Sequence, residues 1–266
     1  MDIRFEKRPV LKEKPDQKNL GFGKYMTDYM FVMDWTKEDG WKDARIVPEG
    51  PITMDPACVT LHYAQETFEG MKAYRTAEGK IQLFRPEMNA KRMINSNARL
   101  CMPEFPVDMF VEAVEALVKV EADWVPSEPN TSLYIRPFMF ATEAALGVHM
   151  ANAYKFMIIC CPVGAYYAAG LNPVKILVED ELVRAVKGGT GFTKCGSRTT
   201  APRTIVACIC VQRTWRHLCE YLRTAYSNHC RKSRKYSYAY PARYIEIPVD
   251  CFICLHDMCG PSCDFV

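Results

Sequence analysis

Glycine is almost missing from the last part of this chain: of 14 glycines in 266 residues, only Gly260 lies beyond Gly196. A domain built from residues 197–266 would lack the backbone freedom that tight turns ask of glycine. Long apolar runs are missing too. The longest, such as 156–163, falls far short of the roughly twenty residues that a membrane-spanning helix needs, so no membrane partner is expected. The opening Met1-Asp2-Ile3-Arg4-Phe5-Glu6-Lys7-Arg8 is charged throughout and carries no apolar stretch of the secretory kind, which makes the location expected cytoplasmic. Neither sign of charge dominates: 34 basic against 31 acidic residues leave +3, and no nucleic-acid partner is expected. An aromatic content of 12% sets aside disorder. Only 17 prolines and 14 glycines set aside collagen-like and low-complexity classes.

Cysteine is abundant, at thirteen residues, and unevenly spread. Cys58, Cys101, Cys160, Cys161 and Cys195 fall in residues 1–196, which carry a net charge of −2. The other eight fall in residues 197–266, whose net charge is +5. In a reducing cytosol these residues read first as free thiols.

Residues 27–35 (TDYMFVMDW) read as a strand before the turn signal Glu38-Asp39-Gly40. Residues 59–63 are short and apolar; 68–75 read as one strand ending at a Glu78-Gly79 hairpin, with 80–84 returning. A helix is expected from Pro86 toward Cys101-Met102-Pro103. The clearest helix spans Asp108–Trp124, with Asp108 as N-cap, Val107, Val111, Val114 and Val118 at helical spacing, and Pro126 as stop. Residues 132–141 and 154–162 are too continuously apolar for surface edges and read as interior strands. Together these patterns indicate a mixed α+β or α/β fold. A small-residue stretch at 163–171 reads as a linker, so the expected domains are a small α/β domain over 1–170 and a second beginning at 171, where 174–178 resumes a strand.

Seven stretches, in order, resemble the branched-chain amino acid aminotransferases, pyridoxal-phosphate enzymes of fold type IV. They are Leu20–Asp28; Leu61-His62-Tyr63 with Phe68-Glu69-Gly70-Met71-Lys72; Leu83-Phe84-Arg85-Pro86 with Lys91-Arg92-Met93; Arg99–Pro103; Leu133–Pro137; Cys161–Tyr166; and Gly188-Gly189-Thr190-Gly191 leading to Lys194. The resemblance covers about residues 18–196. It implies pyridoxal 5'-phosphate as cofactor and Lys194 as the Schiff-base lysine, which attacks the cofactor aldehyde and then moves the Cα proton as base and acid. Arg92 resembles the arginine that holds the cofactor phosphate, a task suited to its fork geometry. Tyr63, Phe68, Tyr134, Arg136 and Tyr166 resemble residues of the substrate pocket. Arg136, inside an apolar strand, needs an anionic partner on physical grounds alone. The implied reaction is ping-pong transfer of the amino group of Leu, Ile or Val to 2-oxoglutarate, by at least a homodimer whose sites are completed by the neighbour's small domain. A D-amino acid aminotransferase or an aminodeoxychorismate lyase is the alternative within the class, and a non-catalytic truncated remnant the alternative outside it. The glycines at 188–191 lack Walker spacing and imply no nucleotide site.

Resemblance stops after Gly196. The family continues with a glycine and Asn-Tyr, then a glutamate for the cofactor's pyridinium nitrogen; this chain reads Ser197-Arg198-Thr199-Thr200-Ala201-Pro202-Arg203. The expected architecture is therefore a complete fold-type IV small domain, residues 171–196 as the start of the large cofactor domain with its lysine, and the rest of that domain truncated or replaced. Three readings stand for residues 197–266: translation in another frame, a divergent replacement domain, and a small zinc site drawn from Cys251, Cys254, His256, Cys259 and Cys263. The second cysteine pair lies too close to the first for a usual zinc loop, so no metal is expected. The basic run Arg231-Lys232-Ser233-Arg234-Lys235 reads as a solvated stretch. The nucleotide sequence around codon 196, read in the other frames, separates the first reading from the other two.

Overall fold

A computed structural model describes residues 1–165, 174–179, 185–196, 209–210 and 243–247. Tyr166, the zinc-type cysteines and the basic run at 231–235 lie outside the described residues. The chain divides into two units, Met1–Ala168 with Phe192–Arg198, and Ala169–Gly191 with Thr199–Val266. In the second, β9 (Val174–Glu179) pairs in parallel with β10 (Ile209–Cys210) and antiparallel with β11 (Arg243–Ile247).

The first unit is an eight-stranded sheet with helices on one face, an α+β arrangement. Its strands are β1 (Arg4–Phe5), β2 (Tyr29–Thr36), β3 (Gly40–Pro48), β4 (Glu66–Phe68), β5 (Met71–Arg75), β6 (Ile81–Leu83), β7 (Ser132–Ala141) and β8 (Ala153–Val163). They lie in the order β1-β3-β2-β8-β7-β5-β6, with β4 also on β7. All pairs are antiparallel except β1 with β3. The two continuously apolar strands, β7 and β8, occupy the middle, as their composition requires.

Alternation along the strands sorts the sheet into two faces. Phe31, Met33, Leu133, Ile135, Met139, Phe156 and Ile158 join the main core, beneath α2 (Pro86–Arg99) and α3 (Val107–Val120). Met30, Val32, Phe140 and Met157 form a smaller buried cluster on the other face. Phe105 stacks on Phe156 with ring centroids 3.9 Å apart, and Trp41 meets Phe105 edge-on at 4.6 Å.

Three elements depart from the sequence reading. The Asp108–Trp124 helix is shorter: α3 runs from Val107 to Val120, capped by Pro106 without a side-chain bond, and a 3-10 turn covers Ala122–Trp124. Proline fits there because the first N–H groups of a helix lack partners anyway, and Asp108 sits in the first turn, where its charge suits the helix dipole. The buried stripe is Phe110, Ala113, Val114, Leu117 and Val118, while Val111 lies at its edge. Residues 59–63 are a helical turn, α1 (Val59–Tyr63), closed by Ala64 in the left-handed region at φ 49°.

The strand expected over 68–75 is interrupted. β4 and β5 continue one register against β7, from Glu66↔Phe140 through Phe68↔Phe138 to Met71↔Ile135. In that register Glu69 faces Pro137, whose carbonyl accepts the Glu69 N–H at 2.7 Å. Pro137 has no N–H to return the bond, so the ladder breaks there.

Glu121, at the end of α3, is also buried; it accepts the Tyr29 N–H beside Asp28. Burial pushes its carboxyl up to about 7, partly offset by the hydrogen bonds it accepts.

Candidate functional site

The interruption between β4 and β5 is where the sequence-selected residues meet. By alternation Phe68, Gly70, Tyr134 and Arg136 share the sheet face away from the helices, while Glu69 turns toward α2. Lys194 reaches the same place. Its carbonyl accepts the Phe68 N–H at 3.0 Å, and its own N–H donates to Ser96 Oγ on α2 at 2.9 Å. Its Nζ stands 4.7 Å from the centre of the Phe68 ring. The Arg136 guanidinium carbon stands at the same 4.7 Å from that ring and 5.2 Å from Tyr134, to whose hydroxyl Nη2 donates at 2.8 Å. One phenyl ring thus carries an amine and a guanidinium, a contact favourable for both cations.

Tyr134 is closely confined. Phe22 meets it edge-on with centroids 4.9 Å apart. A Cβ on Gly70 would come 2.2 Å from its hydroxyl oxygen, so only glycine leaves room for this rotamer. Gly196 lies against the Glu66 carboxylate: a Cβ there would come 1.9 Å from Glu66 Oε1, so that flexible side chain would have to move.

Arg136 departs from expectation in its partner. A buried arginine called for an anion, yet among the described residues no carboxylate pairs with it, and its Nε is buried without a hydrogen bond. Its charge rests on the rings of Phe68 and Tyr134 and on the Tyr134 hydroxyl, and the Nε donor remains unsatisfied. Such a donor is costly unless a ligand answers it.

Arg92, on α2, is held instead by a protein carboxylate. Its Nε and Nη2 donate to the two oxygens of Glu69, each at 2.7 Å, a bidentate pair. Glu69 is fully buried, whereas half of the Arg92 side chain is exposed. Asn89 Nδ2 also donates to Glu69, at 2.8 Å. The carboxylate bond raises the Arg92 pKa further, against the opposing effect of burial. Tyr134 lies near enough to act electrostatically on the same guanidinium.

Tyr63 stands apart from this group. It ends α1 half-exposed, with its hydroxyl donating to the Leu146 carbonyl. The structure therefore brings Phe68, Tyr134, Arg136 and Lys194 together, with Arg92 beside them through Glu69. Four neighbours escaped the sequence reading as site residues: Phe22, Glu69, Asn89 and Ser96. Only Glu69 gave a signal, since a carboxylate inside an apolar strand needs a cation as surely as Arg136 needs an anion.

No family model matches the chain. Curated relatives do. Branched-chain-amino-acid transaminase 1 of Bacillus subtilis (strain 168) is 52% identical over 200 residues, 75% of this chain and 56% of that protein. Branched-chain-amino-acid aminotransferase 2 of the same organism is 50% identical over 192 residues, 72% of this chain and 53% of that protein. The chain is similar to branched-chain aminotransferases. A probable branched-chain-amino-acid aminotransferase of Staphylococcus epidermidis is likewise 52% identical over 200 residues. The chain spans about half the length of the curated branched-chain aminotransferases that it matches. Among solved structures, the holo-form branched-chain amino acid aminotransferase of Thermobaculum terrenum matches 60% of this chain and 48% of its own, at 22% identity and a TM-score of 0.45. The aminotransferase likeness is carried by the sequence match rather than by that score.

Proposed function

We propose that the protein acts in branched-chain aminotransfer, moving the amino group of Leu, Ile or Val to 2-oxoglutarate with pyridoxal 5'-phosphate as cofactor. The observation that carries this reading is the Arg136 guanidinium, paired with no carboxylate among the described residues and set on the same phenyl ring as the Lys194 amine. An α-amino acid presents a carboxylate and an amine on one carbon, and this site offers a guanidinium and a reactive amine around one apolar surface. Curated relatives at about 50% identity bear the matching name.

The residues fit the cofactor chemically. Arg92 offers a guanidinium to a phosphate, Lys194 an amine to an aldehyde, and Phe68 and Tyr134 offer aromatic walls. When bound, pyridoxal phosphate supplies an electron-withdrawing ring that makes the substrate Cα–H acidic. Lys194 would accept that proton and return it, acting in turn as base and acid. Arg136 orients the substrate carboxylate, with Tyr134 fixing its guanidinium through the Nη2 bond. Phe68 shields the amine from water and favours an aliphatic side chain over a polar one.

In this reading residues 1–168 are the small domain of the fold-type IV architecture, the segment that carries Lys194 packs with them in the first unit, and Tyr166 belongs to the substrate pocket. The protein works in the cytoplasm as a homodimer. Support for the dimer comes from the exposed apolar group Leu61, Tyr63, Leu146, Val148 and Met150, too large a set to be left in water without purpose.

Purified protein titrated with pyridoxal phosphate should gain the near-visible absorbance of lysine-bound cofactor. Lys194→Ala should lose it while its circular dichroism is kept. A full-length chain that never takes up the cofactor overturns the reading.

A further inference from the structure

Glu69 is the most deeply buried charge beside the site, and nothing in the proposed chemistry uses it. Its carboxylate receives Arg92 Nε and Nη2, Asn89 Nδ2 at 2.8 Å and the Gly70 N–H at 3.3 Å. Asn89 also donates to the Gly70 carbonyl at 3.2 Å, tying α2 to the interrupted strand. The Glu69 side chain is 0% exposed, against 50% for that of Arg92. A free arginine on a helix surface has rotamer entropy to lose on binding an anion. Here that freedom is already removed, because a side-on bidentate bond fixes the guanidinium plane. What remains available is the end edge, formed by Nη1 and the second hydrogen of Nη2.

We infer that Glu69 is a positioning residue, whose buried carboxylate holds the Arg92 guanidinium so that its end edge addresses the cofactor phosphate, with Asn89 bracing the carboxylate from α2. This rests on the reading of Arg92 as a phosphate ligand. The break opposite Pro137 turns from an irregularity of the sheet into the means of lodging Glu69 there. A continuous ladder would commit the Glu69 carbonyl to the neighbouring strand and bind the backbone on both sides. Glutamine at this position has one oxygen for two donors, and its amide nitrogen faces the guanidinium as a second donor, so the bidentate lock is lost with little change of volume.

The test compares pyridoxal phosphate with pyridoxal, which lacks the phosphate, by absorbance titration of the full-length protein. Wild type should bind the phosphorylated form more tightly. Glu69→Gln should lose about ten-fold in affinity for it, the size expected for one charge-assisted contact, with pyridoxal affinity unchanged. Asn89→Ala, which leaves the ion pair in place, should give a smaller loss of the same selectivity and guards against a misfolded Glu69 variant. In the Arg92→Gln background, Glu69→Gln should weaken phosphate recognition no further, because both act through one contact. Equal losses for both ligands, or additive losses in the double variant, assign Glu69 to stability alone and overturn the inference. A selectivity that survives intact in Glu69→Gln overturns it while leaving Arg92 as phosphate ligand. A wild type with no preference for the phosphorylated form overturns both.

Discussion

Replacing Glu121 by Gln tests whether burial of this carboxyl makes the first unit sensitive to pH. The side chain is 1% exposed, accepts the Tyr29 N–H, and lies near Asp28 and Cys160. Lys12 donates its N–H to Asp28 at 2.7 Å and Trp124 donates its indole N–H at 2.7 Å, while Arg8 approaches at 4.0 Å; these groups serve Asp28. Desolvation raises Glu121 from its ordinary 4.5 to about 7. The folded form therefore keeps its proton over a range in which the unfolded chain has lost it. The stabilisation is full below about 4.5, is lost as the pH climbs toward about 7, and changes no further above that. At about 1.4 kcal/mol per pH unit across that interval, the fall is on the order of 3 kcal/mol. Glutamine keeps an oxygen for the Tyr29 N–H and cannot ionise. Urea unfolding at pH 5, 6, 7 and 8, with hydrogen exchange of the β2 and β8 amides reporting on the first unit, should show wild type weakening with pH and Glu121→Gln nearly flat. Parallel pH profiles for the two proteins would refute the reasoning.

Gly70→Ala should displace the Tyr134 ring and break its 2.8 Å bond to Arg136. Steady-state kinetics should then show kcat/KM for leucine reduced by roughly ten- to a hundred-fold, the equivalent of about 1.5–3 kcal/mol. Combining it with Tyr134→Phe should cost less than the two single losses together, since the worst clash is with the phenol oxygen; additive losses would show that Tyr134 had not been in the way. Val148→Asp, at a side chain 85% exposed, should shift the protein from dimer to monomer in analytical ultracentrifugation and leave the fold intact. An unchanged sedimentation coefficient would place the dimer contact elsewhere or remove it.

Much of the first unit was legible because its central strands are simple. Residues 132–141 match β7 residue for residue, and 154–162 fall within β8, since long apolar runs at the middle of a sheet are read from composition alone. β3 went unread: Gly40–Pro48 mixes charged and apolar residues, and its strand character comes from pairing with β2 rather than from propensity. The break between β4 and β5 could not be seen locally either. Its cause, Pro137, lies far along the chain and opposes Glu69 only once the sheet has formed. At the site, Arg136 stood out as a charge inside an apolar strand, while Lys194 was singled out only by the family resemblance of its surroundings. Their meeting over Phe68 was not legible, because it depends on two backbone bonds to partners remote in sequence. The burial argument asked for an anion beside Arg136 and the described residues supply none, whereas the same argument applied to Glu69 would have found the partner of Arg92.

The two backbone bonds of Lys194 also have a mechanical meaning. One ties its carbonyl to the sheet at Phe68, the other ties its N–H to a helix at Ser96, and Gly196 lies beside the Glu66 carboxylate. Tension arriving along the chain from beyond Gly196 would load these anchors before it could move the lysine. The Lys194 backbone is thus fastened from both sides to the unit that carries Arg136 and Phe68.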